Sequence, residues 1–142
     1  MTFYLLAGPA EEPVSLVEAK AYLRVEDDAE DGLIEALISA ARIHTEAMTG
    51  RALLAQSWRL VLDGFPAERV IKLPVAPLMA LTAITAYDAD GVGTELDLGQ
   101  FLPDAGAVPA RIILPATIDG LPVLRPRMGI EIDYVAGFGT EP

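Results

Sequence analysis

The sequence predicts an α+β fold in which an N-terminal pair of helices precedes an antiparallel β-rich body. Residues 27–52 place apolar side chains at steps of three and four, which is the period of an amphipathic helix. After Gly50 the period changes to alternation, and Pro and Gly turns separate short segments. Because helices come first and strands follow, α+β is favoured over a doubly wound parallel fold.

The first 24 residues predict an extended arm followed by a short helix. Residues 1–13 form the arm, which ends at Pro13. Ser15 and Glu18 then make an S-x-x-E capping box, a typical start of a helix. Leu16, Ala19 and Leu23 share one face, so the short helix covers about residues 15–24.

The long helix covers about residues 28–50 and pairs with the short one in an αα-hairpin of unequal lengths. Acidic residues crowd its start, where they suit the positive end of the helix dipole, and Asp28 is the predicted N-cap. Gly50 is the predicted C-terminal residue in the left-handed conformation. We expect the short helix to cover part of the apolar stripe of the long one, formed by Leu33, Ile34, Leu37, Ile38, Ala41, Thr45 and Met48.

The β part covers residues 53–139 and contains short strands separated by turns. Asp88 to Gly91 is a strong hairpin turn, because Asp-Gly tolerates the positive φ that such turns need. Residues 115–128 are a loop. The arm, the helical part (14–52) and the β part together make one domain over residues 1–142. The predicted strands are residues 58–62, 70–73, 78–87, 94–98, 101–103, 111–114 and 130–135.

Composition bounds the function. The chain has 142 residues, of which 52% are hydrophobic, enough for a packed core. Ten Lys and Arg against 21 Asp and Glu give a net charge of −11, which argues against a surface that grips nucleic acid. No apolar run is long enough to span a membrane, and the N-terminus is a poor signal peptide. We therefore predict no specific nucleic-acid binding and no membrane association.

No residues form a convincing catalytic, cofactor or metal site. The acidic cluster at residues 26–31 resembles the start of an EF-hand, but Ala29 and Ile38 stand where calcium ligands should be. His44 is the only histidine and has no evident nucleophile to activate. The chain lacks Cys, which excludes disulfides and thiolate ligands. We predict that the protein is not an enzyme and holds no cofactor.

Several stretches in order resemble the head–tail connector, or adaptor, family of long-tailed phages, prophages and gene-transfer agents. The most specific are PVSLVEAKAYLRV at residues 13–25, TGRAL at 49–53 and QSW at 56–58. The stretches at 71–91, IKLPVAPLMALTAITAYDADG, and at 130–139, IEIDYVAGFG, complete the set. The resemblance covers about residues 13–139.

The resemblance implies a structural protein of the virion, made in the bacterial host cytoplasm and located at the head–tail junction. Its members form a homo-oligomeric ring between the portal protein and the tail-proximal connector or stopper, and DNA passes through the channel. Members usually continue into a C-terminal helical segment beyond the A-G-F-G strand, which leads us to expect that a C-terminal segment is missing here. The acidic balance would suit a channel that lets DNA slide.

Interfaces are expected on the long helix around residues 37–48, on residues 51–58 and on the Pro/Gly-rich loops, which tend to carry contacts. Trp and Arg are enriched at interface centres, although a Trp that starts a strand is more often a core residue. The candidate interface residues are Arg51, Gln56, Trp58, Asp88, Asp90, Arg125 and Arg127.

Two alternatives stay open at the level of sequence. One is a stopper or tail-completion protein of similar architecture. The other is a small soluble enzyme or ligand-binding domain, which a deep pocket with convergent polar groups and a perturbed carboxylate would favour. The subunit number and the face that meets the portal are also left open.

Overall fold

The computed structural model describes all residues, 1–142, and its elements follow the predicted order of helices and then strands. The two helices are α1 (Leu16–Leu23) and α2 (Asp31–Thr49). A 3-10 helix covers Leu98–Gln100. The strands are β1 (Thr2–Ala7), β2 (Gln56–Leu62), β3 (Val70–Lys72), β4 (Leu78–Tyr87), β5 (Gly93–Glu95), β6 (Leu102–Asp104), β7 (Arg111–Ile113) and β8 (Ile130–Ala136). The predicted α+β class is confirmed.

The ends of the helical hairpin follow the local chemistry of the sequence. The Ser15 hydroxyl accepts a hydrogen bond from the backbone N–H of Glu18, and the Glu18 carboxylate accepts one from the backbone N–H of Ser15, so the predicted capping box is present. The helix α2 ends at Gly50, which has a φ of 65° and donates its N–H to the carbonyl of Glu46. Glycine suits this left-handed position because it has no Cβ to clash.

The predicted N-cap of the long helix is wrong. The helix begins at Asp31, its N-cap residue is Glu30, and no side chain caps it. Asp28 instead accepts a hydrogen bond from Lys20 Nζ at 2.7 Å, and Asp31 lies 2.7 Å from the same ammonium. The carboxylate of Asp28 therefore links α1 to the start of α2 rather than capping α2.

The strands form two antiparallel sheets that enclose the core. One sheet has five strands in the order β1-β2-β8-β4-β5, and the other has three in the order β3-β7-β6. The central strand β8 alternates fully buried Ile130, Ile132 and Tyr134 with half-buried Glu131 and Asp133. Side chains from both sheets share one buried cluster, so the core lies between the sheets.

The irregular pairing of β4 with β8 explains why apolar and polar residues alternate imperfectly in the sequence of β4. Its pairing with β8 is interrupted between Leu78 and Ala80 and again between Leu81 and Ala83. Each interruption shifts the phase of inward and outward side chains, as β-bulges do. The return strand after the Asp88 turn is shorter than predicted, because Asp97 accepts from the N–H of Gly99 and begins the 3-10 helix.

The helical hairpin leaves much of its apolar surface open. Within α2 only Ile34 is buried, while Leu37 and Met48 are 56% and 75% exposed. The short helix α1 has no buried residue. The cover that we expected from α1 is therefore small. Neither helix has the length and apolar character needed to cross a membrane.

Candidate interaction surfaces

The sequence-predicted contact residues fall into two groups at opposite ends of the five-stranded sheet. The strand register places Gln56, Ala136 and Leu78 in the row at one end. Leu62 and Ala86 both pair with Ile130 at the other end. We call the end of the sheet at Gln56 the helical end, because α2 joins the sheet there. We call the end at Ile130 the loop end. The helical-end group is Arg51, Gln56 and Trp58, and the loop-end group is Asp88, Asp90, Arg125 and Arg127.

The helical-end group lines a cleft of about 430 Å³ between α2 and the first two strands. Trp58 is half-buried there, and its ring centroid lies 6.1 Å from that of Phe3 on β1. The Trp58 Nε1–H is buried without an acceptor. Arg51 is exposed and forms a single backbone bridge with Ala76. The structure therefore brings these predicted residues together.

Glu46 joins the helix to the sheet at this end. Its Oε1 accepts hydrogen bonds from the backbone N–H of Leu53 at 2.9 Å and from Gln56 Nε2 at 2.6 Å. Its Oε2 accepts from Arg42 Nη1 at 2.9 Å. Gln56 is only 2% exposed, so its side chain holds the helix on the sheet within the free subunit. Sequence reasoning missed Glu46, because two of its three partners, Leu53 and Gln56, lie beyond the end of its helix.

A second ion pair at the helical end ties the N-terminal arm to α2. Glu12 accepts from Arg42 Nε at 2.7 Å and from the Ser39 hydroxyl at 2.8 Å. The Arg42 guanidinium holds the pKa of Glu12 below its usual 4.5. The arm therefore contacts the same face of α2 that Glu46 fixes to the sheet.

Acid is expected to weaken this anchor. Because the pKa of Glu12 is lower in the folded chain, its ion pair contributes stability above pH 4.5, and that contribution is lost as pH falls through the lower folded value. We expect Glu12→Gln to lower the free energy of unfolding by about 1 kcal/mol at pH 7, since the pair is only partly buried. Urea unfolding at pH 7 and pH 3 measures this. A Glu12→Gln deficit as large at pH 3 as at pH 7 would contradict it.

The loop-end group mixes residues that shape loops with residues that face solvent. Asp88 Oδ1 accepts from the backbone N–H groups of Asp90 and Val92, which closes the turn. The Arg125 guanidinium lies 4.6 Å from the centroid of the Tyr87 ring. Arg125 also donates from Nε and Nη2 to the Met128 carbonyl. Asp88 and Arg125 therefore fix the loops.

The remaining members of the loop-end group are open to solvent. Asp90 is exposed at the tip of its turn. The side chain of Arg127 is 86% exposed and lies 3.5 Å from Asp63. Asp90 and Arg127 are therefore the members of this group that a partner can reach.

The outer face of the five-stranded sheet carries a charge network that sequence reasoning did not find. Arg59 donates to both oxygens of Asp133 at 2.6 and 2.7 Å and lies 3.3 Å from Glu131. The Tyr87 hydroxyl donates to Glu131 at 2.9 Å, and that hydrogen bond raises the pKa of Tyr87. The sequence did contain a signal for this network: along β2 and β8, charged residues alternate with residues that are buried.

An apolar groove of about 720 Å³ runs between α1 and α2. Its walls include Tyr22, Leu23, Leu37, Ile38 and Ala41. A neighbouring depression adds the acidic residues Glu11, Glu12 and Glu35. The helical end thus presents an apolar surface with an acidic border, whereas the loop end presents polar loops with both acidic and basic side chains.

The carboxylates with shifted pKa values have local partners that explain the shifts. The pKa of Asp28 is lowered by Lys20, and that of Glu18 by the backbone and hydroxyl of Ser15. Both shifts come from an ion pair or a helix cap, as does that of Glu12. No three acidic or histidine side chains come together in a way that could hold a metal ion.

Comparison with known proteins gives the family of this chain. Residues 13–97 match the model of the family described as phage gp6-like head-tail connector protein. The chain belongs to this family. A head–tail connector is a structural component of the virion, so the place of this protein is the head–tail junction. None of the curated proteins matches the chain.

Solved structures agree with this assignment over nearly the whole chain. A chain in the neck of an empty gene transfer agent (GTA) particle, computed with C6 symmetry, is 30% identical with a TM-score of 0.79. The match covers 99% of this chain and 73% of that one. A chain in the virion of a native GTA particle is 26% identical, with a TM-score of 0.76 and coverage of 99% and 74%. A chain in the neck of a native GTA particle, computed with C12 symmetry, is 29% identical, with a TM-score of 0.74 and coverage of 99% and 72%.

Proposed function

We propose that the protein is one subunit of an adaptor ring that bridges the portal to the tail-proximal connector or stopper, with DNA passing through the central channel. The observation that carries this proposal is the whole-chain similarity to neck chains of GTA particles. The structures of those two necks were computed with C6 and with C12 symmetry. Cyclic symmetry requires each subunit to meet its neighbour through two different faces.

The two ends of the sheet support a bridging role. A subunit between two other rings needs a contact surface at each end, and the surfaces at the helical end and the loop end differ in chemistry. The helical end offers the apolar groove with its acidic border. The loop end offers exposed Asp90 and Arg127. Arg51, on the exposed side of the helical-end cleft, is the corresponding charged residue there.

The charge of the chain supports the proposed channel. With 10 Lys and Arg against 21 Asp and Glu, the subunit carries few of the basic side chains that retain DNA by releasing its counterions. Repulsion between like charges allows a duplex to pass without being held. The same balance supports the absence of specific nucleic-acid binding.

The decisive measurement is the mass of the protein by light scattering over a concentration series, with and without the cognate portal protein. We expect a ring, or a stable complex with the portal, and no complex with an unrelated portal used as control. A chain that stays monomeric at high concentration and ignores its cognate portal would overturn the proposal.

A further inference from the structure

We propose that neighbouring subunits join by strand pairing: β1 of one copy pairs with the half of β4 in the next copy that has no hydrogen-bonded strand on its side away from β8. The five-stranded sheet is thereby continued from subunit to subunit. This inference rests on the proposed ring and adds the surfaces that close it. The two strands lie near opposite edges of the same sheet, so the contact is head to tail.

The strand β1 is an edge strand with one free side. It pairs only with β2, and no other backbone hydrogen bond involves residues 2–7. All six of its residues are exposed, and its apolar side chains Phe3, Tyr4, Leu5 and Leu6 are each 43–45% exposed. Natural proteins usually shorten, charge or cover such an edge, because it is a template for pairing with another chain. Here the edge is six residues long and apolar, which indicates that something covers it.

The strand β4 offers a second free edge of the same length. It has ten residues, of which Thr85–Tyr87 pair with β5, and the carbonyl of Ile84 accepts from the N–H of Leu96. This leaves six residues, 78–83, without a partner on the side away from β8. Met79, Ala80 and Thr82 are exposed there. Each subunit therefore carries two unpaired edges of six residues.

The two edges have the polarity and the level that pairing requires. Directions alternate along β1-β2-β8-β4, so a β1 placed beside the β4 of a similarly oriented neighbour runs antiparallel to it. The register links Tyr4 through Arg59 and Asp133 to Ala83. Since antiparallel hydrogen bonds run perpendicular to the strands, residues 4–7 of β1 lie at the same height in the sheet as residues 80–83 of β4, whereas Thr2 and Phe3 lie level with the part of β4 that β5 and Leu96 occupy. Moving the next copy sideways and rotating it about the ring axis therefore pairs residues 4–7 of its β1 with residues 80–83 of β4 without a shift along the strands.

Strand addition supplies both affinity and specificity in such a contact. The main-chain hydrogen bonds provide affinity, and the alternating side chains of the added strand select the partner. Because the β1 edge and the β4 edge are different surfaces, a copy that uses one edge still has the other edge free for the next copy. The contacts form a closed ring if the rotations between successive copies add up to a full turn. The partner that this surface fits is therefore a second copy of this chain.

Disulfide cross-linking tests this pairing cleanly, because the natural chain has no Cys. The double variant Tyr4→Cys with Ala83→Cys places a thiol on each edge at the same level. In the assembled ring, with cognate portal added where assembly needs it, we expect oxidation to give a ladder of covalent oligomers up to the full ring, which reductant collapses to one band. The matched control, Tyr4→Cys with Glu95→Cys on the short strand β5, should give no ladder.

The outcomes separate this inference from the proposed function. A ring that light scattering shows to be intact, but that gives no ladder with the double variant, overturns the strand pairing and leaves the ring. Covalent dimers from Tyr4→Cys alone would mean that two β1 edges pair with each other, which also overturns it. A natural chain that forms no ring under any condition overturns the proposed function and, with it, this inference.

Discussion

Replacing Gly137 with Ala is expected to cost a large share of the stability of the fold. Gly137 has a φ of 148°, which side chains other than glycine rarely adopt. A Cβ there would lie 2.5 Å from the carbonyl carbon of Leu54 and 2.6 Å from the backbone nitrogen of Ala55. Both contacts are with backbone, which cannot rotate away. We expect a loss of about 4 kcal/mol or more in the free energy of unfolding, a large share of the 5–15 kcal/mol typical of domains.

Urea unfolding measures this loss, and Gly120→Ala is the matched control. Gly120 also has a positive φ, 75°, but no atom lies within 4 Å of the position of its Cβ. The control therefore isolates the backbone strain and should cost about 1–2 kcal/mol. Equal losses in the two variants would show that the approach of residues 54 and 55 to Gly137 does not matter.

The second large effect is expected from Glu46→Ala. The side chain of Glu46 is only 11% exposed, and its removal leaves the Leu53 N–H, the Gln56 amide and the Arg42 guanidinium without this acceptor. Breaking one partner of a buried, charged network costs about 3 kcal/mol or more. We expect the helical hairpin to loosen from the sheet before the sheet itself unfolds.

Hydrogen exchange resolves that order of events. In Glu46→Ala, amides of α2 should exchange faster, while those of β8 should keep their protection until global unfolding. Glu35→Ala is the control, because Glu35 is exposed on the same helix and makes no ion pair or side-chain hydrogen bond. It should change stability by less than about 0.5 kcal/mol. Uniform acceleration across α2 and β8 would contradict a local role for Glu46.

The parts of the fold that sequence could predict depend on neighbours in the chain. The capping box of Ser15 and the left-handed conformation of Gly50 depend only on residues within one helical turn. Both can therefore be predicted from the sequence. The N-cap assignment of Asp28 was wrong because Lys20, on another helix, competes for the carboxylate. The role of residues 2–7 as an edge strand depends on pairing with β2, 50–59 residues further along the chain, which local periodicity cannot show.

The candidate surface was predicted by residue type, and residue type alone cannot separate internal from external contacts. Arg and polar side chains that suit an interface also suit ion pairs within a chain. Gln56 and Arg125 are used in this second way, by Glu46 and by the Met128 carbonyl. Arg51, Asp90 and Arg127 remain exposed, and their part in an interface stays a prediction.

The C-terminal half of α2 is anchored to the sheet and the arm, whereas its first turns extend away from both. Gly50 and Ala52 bond to Ala76, and Glu46 fixes the last turn, whereas the first turns of α2 are held mainly by α1. A helix of 19 residues is roughly 28 Å long, so a rotation of about 10° at the anchored end displaces its far end by about 5 Å. The sheet need not move during such a swing. In the proposed ring, such a swing would let the tips of the helices adjust to small mismatches with a neighbouring ring while the circumference of the sheets stays fixed.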